Sequence, residues 1–298
     1  MKARGFSAKI PVLMTVVFLL GIGCMSWEEG WKKIGEPSVE GDVSVLIARA
    51  NRQMQEADSK EKILQLIETY ENVLKIEPRN TEALRRLGSF CFLIGYGYAE
   101  SRDEREIYCR KAIKYSEQVL YSNPDFRQLV DGGEKVWEAC RALSKREMDA
   151  MWWWYLAAGA YWKECFSVVG RLVNFRWPMR VRKVLDAMME IDPAWQNGSP
   201  YYAWANFYAV APGFLGGDLK KAAEYYEKAV ELGPNMLNFR RSRAWFLHIK
   251  TGDRKAFRED MEWVIAQDPH RAGLTYPWNV FIQRDAQRGL DTIDEYFE

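Results

Sequence analysis

Covalent chemistry in this chain rests on few side chains. Among 298 residues there are five cysteines and two histidines. Cys24 follows Gly21-Ile22-Gly23 and stands directly after a small-residue cleavage position. Cys91, Cys109, Cys140 and Cys165 remain, an even number that permits disulfides in an oxidising compartment. Their neighbours favour burial as small apolar filler: Cys91 lies in Phe90-Cys91-Phe92-Leu93, and Cys165 between Trp162 and Val169. Cys91 and Cys109 fall on the two helices of one predicted hairpin and pair if their Cα atoms come within about 7 Å. No cysteine spacing matches a zinc site, and only His248 and His270 are at hand to join one, so no metal is expected. There is also no phosphate loop, Gly-x-Ser-x-Gly elbow, His-Glu-x-x-His helix or dinucleotide glycine fingerprint. A carboxylate pair can still assemble in space from the many acidic residues, but nothing in their order points to one. The expectation is a protein that is not an enzyme and carries no cofactor.

Noncovalent recognition is better supplied. Thirteen tryptophans and 14% aromatic residues exceed what a helical core needs, and Met151-Trp152-Trp153-Trp154-Tyr155 sets four large rings around one helix turn. Rings interleaved with arginine can grip a hydrophobic ligand that carries a carboxylate, through stacking area and fork-shaped hydrogen bonds. The same residue types also mark protein interfaces. The candidate lining of such a groove is Arg85, Phe92, Trp154, Tyr161, Trp162, Tyr202, Asn206, Arg241, Trp245 and His248. Packing between neighbouring helices is the alternative fate of each ring. The net charge of +1 gives no field to attract nucleic acid, and the cluster Arg171, Arg176, Arg180, Arg182 and Lys183 around Trp177 reads as a solvated helix face.

The elements that must position these residues are helical hairpins. The stretch Pro200-Tyr201-Tyr202-Ala203-Trp204-Ala205, then Leu215-Gly216-Gly217-Asp218, then Ala222, Tyr226, Ala229 and Pro234 reads as two helices folded back by a glycine turn. Ala222 and Ala229 lie on one face and allow close approach, Asp218 is an N-cap, and Pro234 stops the second helix. A unit this small needs stacked neighbours to bury its apolar face. The same ending recurs as Ile76-Glu77-Pro78, Ser122-Asn123-Pro124, Ile191-Asp192-Pro193, Leu232-Gly233-Pro234 and Gln267-Asp268-Pro269. The last two prolines are 35 residues apart, close to the tetratricopeptide period of about 34. Aligned on these endings, Leu84, Leu87 and Gly88 match Trp153, Leu156 and Ala157, and Tyr201, Trp204 and Ala205. Arg240, Arg243 and Ala244 fit less well, and Phe257 stands where a small residue is expected. The predicted fold is all-α, a superhelical stack of degenerate tetratricopeptide-like hairpins whose first helices line a concave face.

The N-terminus adds an address. Lys2, Arg4 and Lys9 precede an apolar stretch over residues 10–22, too short for a comfortable spanning helix, which needs about 20 apolar residues. With Cys24 behind it, the segment resembles a bacterial lipoprotein signal, and ordinary secretion is the plainer alternative. The expected organisation is a signal over residues 1–23, a tether over 24–41 in which Trp27 and Trp31 suggest partial docking, and one α-solenoid over 42–298 with about four or five hairpins and a C-terminal helix. That places the protein in the periplasm, held to a bacterial membrane through lipid on Cys24.

Taken with this leader, the pairing of Pro200-Tyr201-Tyr202-x-x-Ala205 and Leu215-Gly216-Gly217-Asp218-x-x-x-Ala222 resembles the T component of tripartite ATP-independent periplasmic (TRAP) transporters. The resemblance implies a membrane-tethered homotrimer that docks the periplasmic substrate-binding P subunit of such a transporter and receives its hydrophobic or carboxylated ligand. An envelope-assembly lipoprotein that holds peptide segments in its groove is the second reading.

Overall fold

Capping chemistry sets the helix boundaries. The computed structural model describes residues 29–297; the leader, Cys24 and Trp27 lie outside the described residues. The side chain of Asp42 accepts from the Ser44 amide ahead of α1 (Val43–Met54), and Ser59 does the same for Lys62 ahead of α2 (Lys60–Ile76). Asn80 opens α3 (Thr81–Leu93) through the Ala83 amide, and Ser101 opens α4 (Arg102–Leu120) through Glu104. A connector containing α5 (Pro124–Asp131) leads to α6 (Met148–Ala160). The short α7 (Val168–Val173) intervenes before α8 (Trp177–Ile191), which packs on α6. Then come α9 (Trp195–Val210) with α10 (Leu219–Leu232), α11 (Leu237–Arg243) with α12 (Arg254–Ile265), and the terminal α13 (Tyr276–Asp291). Among the described residues there is no strand, and the fold is an all-α stack of helix pairs, each packed on the next.

Small residues permit the close packing. A Cβ added at Gly88 would stand 3.0 Å from Ser116 Oγ of α4. Ala157, Ala205, Ala222 and Ala229 are all fully buried, with Ala205 and Ala222 in one cluster beside Tyr226. In the α9–α10 turn, Gly216 adopts φ +97°, a left-handed conformation that glycine takes without strain. A side chain at Gly217 would overlap the Ala211 carbonyl. Asp218 then accepts from the Lys220 and Lys221 amides at 3.0 and 3.1 Å. Pro234 follows the end of α10 as the stop.

Three features depart from a plain reading of the repeat. The helices α3, α6 and α11 each run on into a π-helical turn, at Ile94–Tyr98, Tyr161–Cys165 and Ala244–His248. The start of α9 is not regular helix: Gln196, Asn197 and Gly198 have φ of 45°, 58° and 88°. Pro200 therefore stands near the start of the regular run, where its missing N–H removes nothing. The third is closure, since α13 returns to the second hairpin. Trp278 Nε1 donates to Ser89 Oγ at 2.9 Å, and the Phe281 ring packs on Tyr96 and Tyr98.

The segment ahead of α1 packs through Trp31, which stacks on Tyr121 at 5.7 Å and meets Phe126 edge-on. The Gly30 amide donates to the buried Glu117 carboxylate at 2.6 Å. Cys91 and Cys109 do not pair. Both are buried free thiols, each filling space in the apolar core as a small side chain.

Candidate functional site

The first helices of the pairs face inward and, with α13 across them, enclose a cavity of about 470 Å³. Its aromatic floor follows from the ring-rich turn of α6. Trp153 stacks on Trp278 of α13 at 5.5 Å with 16° between planes, and Phe92 of α3 lies against both. Trp152 meets Tyr202 of α9 at 6.1 Å. Tyr202 is fixed by stacking on Phe239 at 5.0 Å and by a 3.0 Å hydrogen bond between its hydroxyl and Ser242 Oγ.

Polar groups are few and placed at particular points of the wall. Arg241 reaches the cavity but is already satisfied, with Asp285 at 2.6 Å and the Tyr96 hydroxyl at 3.2 Å. Asn206 uses its carbonyl oxygen to accept from the Tyr226 hydroxyl. Three buried polar atoms on lining residues have no hydrogen-bond partner: Trp162 Nε1, Arg182 Nε and Asn238 Oδ1. Arg182 Nε stands 3.8 Å from Asp186, too far for a hydrogen bond, while its guanidinium covers the Phe207 ring. Burial lifts the Asp186 carboxyl above the usual carboxylate range, against the pull of Arg182. The result is an apolar chamber with two donors and one acceptor unspent, the composition of a small-ligand site.

The mouth is apolar too. Phe175, Met179, Val210 and Leu215 both line the cavity and stand exposed. Beyond them Val168, Leu172 and Phe214 are 64%, 68% and 86% exposed. Exposed apolar patches of this kind mark interaction sites.

Of the ten residues expected in the groove, Phe92, Trp162, Tyr202, Asn206 and Arg241 line the cavity. The other five do not. Trp154 is fully buried with its indole N–H on Glu117 at 3.0 Å, and its neighbours Trp152 and Trp153 face the chamber in its place. Tyr161 turns to α4, where Arg110 and Glu106 bond its hydroxyl. Arg85 reaches the Arg146 carbonyl 2.5 Å away. Trp245 donates to Asp285 at 2.8 Å and packs on Phe257, and His248 lies 3.2 Å from Asp260. One residue along a helix is about 100° of rotation, so an alignment off by one exchanges wall for core. The sequence reading passed over Trp278, Phe281 and Ile282, although their i, i+3, i+4 spacing in α13 is a legible apolar stripe. Arg182 was assigned to a solvated face, yet it forms part of the wall.

Among the described residues no group of histidine, cysteine and acidic side chains is arranged to hold a metal, and no helix is long and apolar enough to cross a membrane. No curated protein matches the chain. The family model described as TRAP transporter T-component matches residues 66–297. That span runs from within α2 through α13 and takes in the whole cavity lining, and the chain belongs to the TRAP transporter T-component family.

Proposed function

We propose that the protein serves its transporter as a periplasmic scaffold, held to a bacterial membrane through lipid on Cys24, that docks the substrate-binding P subunit and takes that subunit's ligand into the aromatic cavity. The observation that carries this reading is the chamber itself, about 470 Å³ with a floor of stacked tryptophans and an exposed apolar mouth. That volume falls within the range of small-molecule sites, roughly 300–1,000 Å³. The ligand is a hydrophobic molecule with a carboxylate: rings take the apolar body, and Arg182 and Trp162 Nε1 offer donors to the anionic end. The mouth residues on the α7–α8 segment and the 210–215 loop give the P subunit a surface to seat on, so ligand passes between the two proteins without crossing water. The scaffold acts as a homotrimer, as the family resemblance implies.

Crosslinking in intact cells followed by purification tests the docking. Recovery of a periplasmic substrate-binding protein is expected, and the Leu172→Asp/Phe214→Asp double variant should lower that recovery about tenfold while circular dichroism stays unchanged. Recovery of outer-membrane assembly factors or of extended polypeptides alone would favour the peptide-holding reading and end this one.

A further inference from the structure

The unspent polar atoms of the chamber stand at its two ends. Near the starts of α6 and α9, Trp152 meets Tyr202 at 6.1 Å. Trp162 follows Trp152 by ten residues along α6 and its π turn. Phe207, whose ring lies 5.7 Å from the Arg182 guanidinium, follows Tyr202 by five residues along α9. At about 1.5 Å of rise per residue, these offsets set the Arg182 and Trp162 end roughly 8–15 Å along the wall from the level of Tyr202. Asn238 belongs to the other end. It opens α11 beside Phe239, whose ring stacks on Tyr202 at 5.0 Å, and its Oδ1 is buried on the lining with no hydrogen-bond partner. A buried amide oxygen is costly to leave unpaired, so this corner favours a ligand with a polar group to meet it. That group is not an anion. Arg241, one turn on from Asn238, has a partner on each of its three nitrogens: Nε and Nη2 meet Asp285 at 2.6 Å, and Nη1 donates to the Tyr96 hydroxyl at 3.2 Å. Trp245 Nε1 and Arg288 also bond Asp285 and fix it in that role. Arg182 Nε, unpaired and 3.8 Å from Asp186, stays available at the opposite end.

We propose that the ligand of this chamber, resting on the carboxylate reading given above, is an acid with two polar ends: a carboxylate held near the mouth by Arg182 and Trp162 Nε1, and a hydroxyl at the far end of its apolar body held by Asn238. A hydroxyl both donates and accepts, so it satisfies the Asn238 amide whichever way its oxygen and nitrogen are turned. The apolar body lies between them, against Trp152, Trp153 and Tyr202, which all line the chamber. An acid without the hydroxyl would press hydrocarbon on the Asn238 amide and leave it unmet. A site built to bond a hydroxyl rejects the analogue lacking one far better than an apolar pocket sorts ligands by a methylene. Asn238 is thus the residue that sets specificity in the chamber, and it also sets direction: the hydroxyl end enters first and the carboxylate stays by the mouth.

The test titrates the purified full-length chain with decanoic acid and with 10-hydroxydecanoic acid, read by tryptophan fluorescence and by calorimetry. The hydroxy acid should bind the wild type about tenfold more tightly, the effect of one satisfied buried hydrogen bond. Asn238→Leu should abolish that preference by weakening the hydroxy acid alone. Arg182→Gln should weaken both acids by a similar factor and leave the preference intact. The comparison of the two acids on the wild type needs no variant and stands even if Asn238→Leu folds poorly. Equal affinity of the wild type for the two acids, or a preference that survives Asn238→Leu, overturns the proposal and leaves the chamber a site for simple hydrophobic acids. If neither acid binds, or Arg182→Gln changes neither affinity, the carboxylate reading of the chamber falls and the proposal falls with it.

Discussion

Glu117 is fully buried and accepts from the Gly30 amide at 2.6 Å and from Trp154 Nε1 at 3.0 Å. One carboxylate thereby ties Gly30 and α6 to the last turn of α4. Removing it takes away the acceptor of both bonds, each a loss of about 1–3 kcal/mol. Glu117→Ala should therefore lower unfolding stability by roughly 2–4 kcal/mol in urea titration. Glu117→Gln should recover part of that loss, and an unchanged midpoint for the alanine variant would contradict the clamp. This pairing was hidden in the sequence, because Trp154 and Glu117 lie 37 positions apart and the run from Met151 to Tyr155 has rings on every side. With no polar gap in that turn, periodicity cannot say which tryptophan faces outward.

Elements were most legible where local chemistry decides them. Gly216, Gly217 and Asp218 announce a turn and a cap, and the structure has both. The π turns were not legible, because a π turn adds a residue to the helical circuit without changing composition. After such a turn the assignment of faces shifts, which is how Tyr161 came to pack on α4 while Trp162 reached the cavity. The last hairpin carries a testable charge cluster. Asp260 on α12 bonds Arg243 at 2.6 Å, Arg240 at 3.2 Å and His248 at 3.2 Å. Burial would raise its pKa, but the hydrogen bonds from Arg243 and His248 more than reverse that, so the carboxyl titrates below its ordinary range. A carboxyl depressed in the folded state stabilises above its unfolded pKa of about 4 and loses that contribution as pH falls through the lower folded value. Asp260→Asn should flatten the loss of stability between about pH 4 and pH 2. Chemical denaturation at stepped pH values would show it, and parallel curves for variant and wild type would contradict it.

At the scale of the molecule, stacked hairpins account for the curve and α13 for its closure. Trp278 joins Ser89, Trp153 and Phe92, so the C-terminal helix packs against residues from the second and third hairpins. Trp278→Ala should destabilise by about 3–5 kcal/mol, in line with other buried tryptophan truncations, and should raise binding of a hydrophobic dye as the chamber opens. A variant with native midpoint and no added dye binding would show that α13 is dispensable. The closure also bears on synthesis, because ordinary repeat arrays consolidate unit by unit as they leave the ribosome, each needing only its neighbour. Here the bond from Trp278 to Ser89 spans 189 positions, so the binding chamber cannot exist until the final helix has been made. A chain ending before residue 276 would keep its hairpins yet show unsheltered tryptophans to proteases where it folds, and quality control would thus act on the last stretch of the chain.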